Sequence, residues 1–406
     1  MPTEYPETIA HPGDRRRPGG RSSTSICGYG AVTGYGWGRK FLHQGLLSGE
    51  SAVRPTPGFS PHFDHDVAWV ARVEDEGNPS DGPTRYHQAV RASGREAVEN
   101  ALDRGWRPGK VTGLIHGLVL GDVDAWRTYH HRDGFQATKR EWLSLMPSTV
   151  LAEVNREFGF HGPTMAVTAM CASGVAGLLT AKSWIDSGVA DDVLVLTTDI
   201  SLSPENCAAF AKVGVLFADG PSLDICRPFQ EGSRGFTGGE ASVGMVVSGR
   251  ADGSYATIRG GAMSHDAYHV ISIDPNYDQI RRAFTTALEN AGVHPSEIAY
   301  MNAHGPGTAQ CDTAEATIFD ELFPAAEGIF SIKPLSGHCQ GAAGAVELVA
   351  SLYGFDTGVI PAPPRVAHGH PRLLDGPNAC VEGPIVKSSL GMGGHNAVLV
   401  LDSPTA

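Results

Sequence analysis

Two stretches of the chain run in step at an offset of 170 residues, Cys171–Val189 falling on Gly341–Val359. Ala172 meets Ala342, Gly174 meets Gly344, Leu178 meets Leu348, Asp186 meets Asp356, and Gly188-Val189 meets Gly358-Val359. Each copy reads as a strand, then a helix of small residues, then a glycine turn. Two unrelated small-residue helices align about as well, so the match alone does not decide. If it is real, two similar α/β halves are fused, and two strand-to-helix junctions lie near one pseudo-two-fold axis.

The rest of the chain supports an α/β class. Strand-type runs occur at Leu114–Leu120, Met165–Met170, Val193–Thr198, Ser242–Ser248, Ile298–Ala303, Ile329–Lys333 and Ala397–Leu401. Helix-type patterns at 87–103, 149–157, 172–187, 277–291, 312–322 and 342–355 alternate with them. Residues 1–22 are polar and rich in Pro, Gly and Arg, with Arg15-Arg16-Arg17, and are expected to form a mobile arm. An N-terminal half is expected over 23–252 and a C-terminal half over 253–406.

Composition removes several functions. The 406 residues are 41% hydrophobic and 18% charged, enough for a sizeable core. A formal charge of −13 argues against nucleic acid as a partner. No run approaches the ~18 apolar residues of a membrane helix. The N-terminus lacks the apolar core of a secretory signal. The 7 Cys have no CxxC spacing and read as reduced thiols in a cytoplasmic protein.

Three strand ends carry chemistry. Ala169-Met170-Cys171-Ala172-Ser173-Gly174 sets a Cys where a strand enters a helix. Free N–H groups and the helix dipole there favour a thiolate, a good nucleophile toward a thioester; the competing reading is an inert packed Cys. Asn302-Ala303-His304-Gly305-Pro306-Gly307-Thr308 brings a His into a glycine turn, followed by Asp312 and Glu315. The segment from Ser331 through Lys333-Pro334-Leu335-Ser336-Gly337-His338 to Gly344 delivers a second His before a small-residue helix. Leu390-Gly391-Met392-Gly393-Gly394-His395-Asn396 is a glycine-rich loop able to approach a ligand closely. The groups His62/His65/Asp66, His130/His131 and His368/His370 lack a recurring ligand spacing, and no metal site is expected.

In order and spacing these motifs resemble the β-ketoacyl synthases of the thiolase superfamily, of the decarboxylating Cys-His-His type, over roughly residues 24–402. The match includes the Cys motif at 171, an HGTGT-like turn at 304–308, a KS-x-x-GH-like segment at 333–338 and a GFGG-like loop at 391–394. The resemblance implies a thiolase fold, two similar α/β halves in a five-layer αβαβα domain. It implies that Cys171 takes an acyl group, with the backbone N–H groups of Cys171 and Met392 as oxyanion hole. His304 and His338 would polarise the carbonyl of a malonyl-type extender during decarboxylation. Lys333 would pair with Glu315 and order the site. Phe210 and Met170 would line the acyl pocket, Met392 would gate it, and Thr308 would hold the pantetheine arm. No dissociable cofactor is implied. The implied partners are an acyl carrier protein and either a second copy or a chain-length-factor-like subunit.

The chain departs from that pattern at Pro306, Met392, Pro334, Met170 and His395, which points to a specialised, polyketide-type enzyme more than to housekeeping fatty-acid synthesis. Two rivals stay open: an acyltransferase that loads Cys171 without decarboxylation, and a non-catalytic partner subunit. A biosynthetic thiolase fits less well, because the C-terminal loop reads Gly391-Met392-Gly393-Gly394 with no second Cys.

Overall fold

The computed structural model describes residues 24–60, 66–130, 138–250 and 253–404. The expected N-terminal arm, His62, His65 and His131 lie outside them. Ten strands carry the fold: β1 (Thr24–Thr33), β2 (Thr112–Gly117), β3 (Thr164–Val167), β4 (Asp192–Asp199), β5 (Ala241–Ser248), β6 (Ala256–His265), β7 (Tyr300–Asn302), β8 (Gly328–Phe330), β9 (Ile385–Gly391) and β10 (His395–Asp402). Five helices pack on them: α1 (Arg85–Asp103), α2 (Ser173–Asp186), α3 (Asp278–Ala291), α4 (Ala309–Leu322) and α5 (Ala343–Thr357).

The strands follow the order β8-β7-β9-β10-β6-β1-β5-β4-β2-β3, with the short strand Gly36–Trp37 added to β1. This order is a palindrome of roles. In one half β2 pairs in parallel with β3 and β4, and β5 runs antiparallel to β4. In the other, β7 pairs in parallel with β8 and β9, and β10 runs antiparallel to β9. The halves join through β1 and β6, antiparallel at Thr24↔Ile258. Strands β2, β4, β5 and β10 are buried and mostly apolar, as in sheets covered on both faces.

The layers follow from which helix covers which strands. Helix α1 lies on the outer face of β1, β5 and β4, and α3 on that of β6 and β10. Helices α2 and α5 touch each other, and each touches strands of both halves, so they form the middle layer. This is the five-layer arrangement of the thiolase fold. The middle layer is mostly apolar, as suits helices sandwiched between sheets: Val175, Leu178, Val346 and Leu348 share one core. The two helices approach closely at matching glycines. A Cβ on Gly174 would meet the Ala345 backbone nitrogen at 3.1 Å, and one on Gly344 would meet Val175 at 3.0 Å. Val175 and Ala345 are themselves 170 apart, so the sequence repeat is a packing repeat.

Some expected boundaries shift. The strand expected over Ile329–Lys333 stops at Phe330, and Lys333 opens the short helix Lys333–Ser336, with Pro334 supplying its fixed φ in the first turn. The run Met165–Met170 leaves the ladder after Val167. Strands β1, β6 and β9 were not expected from the sequence. Among the described residues no helix is long and apolar enough to cross a membrane.

Candidate active site

Cys171 sits on a tight elbow between β3 and α2. Ser173 staples the elbow: its hydroxyl accepts from the Ala169 N–H at 2.8 Å and donates to the Met170 carbonyl at 2.7 Å. Met170 is held at φ +51°, a left-handed conformation costly for a non-glycine residue. The thiol is buried, with Gln340 Oε1 at 3.8 Å and the backbone N–H of Met392 directed at it.

Burial raises the Cys171 pKa to about 11, opposed by the nearby Lys333 charge and the Met392 N–H. The expectation that the helix N-terminus leaves a resting thiolate is therefore corrected. Desolvation of the charged form outweighs the Lys333 charge and the Met392 N–H, and the group rests as a thiol.

His304 leaves the end of β7. Glu315, fully buried on α4, accepts the backbone N–H groups of His304 at 2.8 Å and Gly305 at 2.7 Å, and the Ser388 hydroxyl at 2.5 Å. Glu315 therefore fixes the backbone of the turn. Lys333 does not pair with Glu315, as the resemblance implied; its ammonium contacts Glu347 on α5. The reason is topological. Glu315 reaches the turn from α4, whereas Lys333, on its short helix, contacts the buried carboxylate of α5. Glu347 also pairs with Lys387 of β9 at 2.6 Å.

Lys333 Nζ stands 3.2 Å from His304 Nδ1 and also donates to the His304 carbonyl. An ammonium only donates, so Nδ1 must be the bare nitrogen and Nε2 must carry the proton. His338 is fixed through its backbone, donating to the Thr237 carbonyl at 2.8 Å and accepting from the Gly239 N–H at 3.0 Å. Its ring stands edge-on to Phe236 at 4.7 Å and to His304 at 5.3 Å. Burial, and then the Lys333 charge, hold both histidines well below the ordinary imidazole value, so both are neutral near pH 7. One ligand atom from each of Cys171, His304 and His338 lies within 4.8 Å of the others. This is the only such grouping among the described residues; His368 instead pairs with Glu231 and His370 with Asp320.

A cavity of about 570 Å³ is lined by Met170, Met392, Gly393, His265, Tyr268 and Val270 among others. Met170 adjoins Cys171 in the chain, and Met392 faces the thiol through its N–H, so two of the lining residues flank the nucleophile. Gly393 and Gly394 have φ of +86° and +90°, which side chains rarely adopt, and Asn396 braces the loop by donating to Asp266 at 2.6 Å. Phe210 reaches the site indirectly, its ring 6.3 Å from Phe236. Thr308 heads α4, half-buried, and is not among the cavity's lining residues. Sequence reasoning missed Glu347 and Lys387. Each left a signal: a carboxylate flanked by apolar residues in mid-helix, and a lysine inside a strand of buried residues.

The N-terminal domain model of the β-ketoacyl synthases matches residues 22–252, and the C-terminal domain model matches 255–366. The chain is 28% identical to the 3-oxoacyl-[acyl-carrier-protein] synthase 2 of Staphylococcus aureus over 401 residues, 92% of this chain and 97% of that one. It is also 28% identical to a putative mitochondrial 3-oxoacyl-[acyl-carrier-protein] synthase of Schizosaccharomyces pombe, again over 92% and 97% of the two chains. Among solved structures, the ishigamide ketosynthase/chain length factor superposes with a TM-score of 0.79 at 26% identity, covering 95% of this chain and all of that one. A type II polyketide ketosynthase, solved with its acyl carrier protein and bound to the hexaketide, gives 0.81 at 21% identity, covering 94% and 99%. With its fold, its buried Cys-His-His set and these matches, the chain belongs to the β-ketoacyl synthase family, enzymes that transfer an acyl group and condense it.

Proposed function

We propose that this chain catalyses decarboxylative Claisen condensation between an acyl thioester and a malonyl-type thioester, both on an acyl carrier protein, in specialised polyketide-type biosynthesis. The observation that carries the reading is the pair of buried neutral histidines facing Cys171, one of them fixed as the Nε2–H tautomer by Lys333.

Loading is a thiol exchange. Cys171 sulfur attacks the acyl carbon, the carrier's sulfur leaves, and the Cys171 proton ends on the departing thiol. The backbone N–H groups of Cys171 and Met392 form the hole for the tetrahedral oxyanion. In the second step the malonyl thioester carbonyl accepts from His304 Nε2–H and from the neutral His338 imidazole. These donors stabilise the enolate left when CO2 departs. The enolate carbon attacks the acyl carbon, the bond to Cys171 sulfur breaks, and the sulfur takes up one proton. A neutral imidazole suits this role: it stabilises developing charge without giving up its proton. Residues of this chain supply every step, so no dissociable cofactor is required.

The departures at Pro306 and Met392 and the likeness to polyketide ketosynthases support the specialised assignment. Solved relatives occur with an acyl carrier protein and with a chain length factor. Strand β3 lies at the sheet's end with Thr164, Met165 and Ala166 exposed, an open edge suited to pairing with a second copy or a partner subunit. Cytoplasmic action fits the cysteines, which form no disulfide among the described residues.

The test is single-turnover CO2 release from malonyl carrier by acyl-loaded enzyme. His338→Ala should keep loading yet lose CO2 release by about 10²–10³-fold, the scale of one oxyanion donor. Release at the wild-type rate would remove the histidines from the mechanism.

A further inference from the structure

Gln340 is the counterpart of Met170 at the 170-residue offset. Met170 has φ +51° and Gln340 φ +42°, both left-handed without being glycine. The residues two positions on also match: Ala172 has φ −87° and ψ −2°, Ala342 φ −86° and ψ −10°. The same strained elbow is built twice. At the second one the Gly341 N–H is tied to Asp199 at 3.3 Å, and the Gln340 side chain is held at the nucleophile, Oε1 3.8 Å from Cys171 Sγ. Gln340 is 4% exposed, and its Nε2 has no hydrogen-bond partner among the described residues. A buried amide N–H without a partner is destabilising, so one placed beside the reacting sulfur points to an acceptor arriving with the substrate.

We propose that Gln340 is a specificity-determining residue whose Nε2–H reads an oxygen on the third carbon of the acyl chain carried by Cys171. The favoured acyl groups are then 3-oxo or 3-hydroxy thioesters, as opposed to fully reduced chains. The other acceptors already have partners. The thioester oxygen goes to the N–H groups of Cys171 and Met392, and the extender's carbonyl goes to the histidines. An oxygen on the third carbon is four bonds from Sγ. The amide nitrogen is bonded to the same carbon as Oε1, which stands 3.8 Å from the sulfur. A methylene at that position leaves the N–H unmatched, and a site built to bond an oxygen discriminates strongly against its absence.

The inference rests on the reading that Cys171 is acylated, but its test needs no condensation. Initial rates of Cys171 acylation are measured by intact-protein mass spectrometry with 3-oxohexanoyl- and hexanoyl-acyl carrier protein. Wild type should favour the 3-oxo chain by about ten- to hundredfold. Gln340→Met, close in size and without a donor, should bring the ratio near one by slowing the 3-oxo chain alone. Iodoacetamide labelling of Cys171 and thermal unfolding should be unchanged in this variant. A wild type that loads both chains equally overturns this inference alone. Parallel slowing of both chains in Gln340→Met also overturns it, showing a structural role. A wild type that loads neither chain overturns the proposed function as well.

Discussion

The elbow at Met170-Cys171-Ala172 and the elbow at Gln340-Gly341-Ala342 share an offset, a left-handed residue and a helix of small residues, yet only one carries a nucleophile. At the first, the residue after the strained position bears a thiol. At the second, a Cβ on Gly341 would meet Val119 and the Leu118 backbone at 3.1–3.2 Å, so a side chain there is crowded. The second elbow instead works through its flanks: His338 two residues before Gln340, and Gln340 itself. The comparison teaches that the duplicated fold supplies two equivalent backbone addresses and that local packing decides which holds the reactive atom.

The largest expected effect comes from the first elbow. Cys171→Ala should abolish acyl-enzyme formation, seen as loss of the acyl mass increment. Adding Gly341→Cys should not restore it, because that address is crowded and no pair of histidines faces it. Restored loading would make the elbows interchangeable and break the comparison.

Next comes the support beneath His304. Lys333→Met frees Nδ1 and lets the tautomer switch, while Glu347 keeps Lys387. CO2 release should fall by about 10²–10³-fold with loading much less affected, the two steps being separated by single-turnover kinetics. Equal losses in both steps would place Lys333 in thiol activation instead.

The thiol itself sets a smaller, graded effect. Burial raises the Cys171 pKa to about 11, so the thiolate fraction grows as pH rises toward that value. Iodoacetamide labelling should accelerate about tenfold per pH unit between roughly pH 7 and 10. No break should appear near pH 6.5, since both histidines stay neutral there. A plateau by about pH 7 would mean that the helix N-terminus outweighs burial.

The smallest effects test the packing symmetry. Gly174→Ala and Gly344→Ala each force a Cβ into the opposite helix, and each should cost about 1–3 kcal/mol in urea unfolding. Sharply unequal costs would show that the halves do not pack as a pair.

Much of this site was legible in the sequence because its residues stand where secondary structure changes type. Cys171, His304 and His338 each follow a strand-like run and precede a glycine turn or a small-residue helix, and the repeat fixed two of the junctions. Lys333 stood out by its apolar neighbours, but its partner did not. Glu347 looks closer to a helix surface than to a buried counter-ion until α5 is known to lie between two sheets. The sign of the Cys171 shift was missed for a similar reason: a helix end is visible in sequence, whereas the depth of burial around it is not. Strand β6 escaped because Gly260 and Gly261 interrupt its β-type residues, and β9 because Lys387 breaks its apolar run.

The central claim is that Cys171 loads an acyl group and then surrenders it to a decarboxylated extender. Intact-protein mass spectrometry tests both halves in one experiment. Wild-type protein is incubated with acyl carrier, freed of it, and then given malonyl carrier. The account predicts an acyl increment on Cys171 that disappears on malonyl addition, with CO2 released and a 3-oxoacyl chain two carbons longer on the carrier. An increment that persists, with no CO2 released, would contradict it and leave a simple acyltransferase.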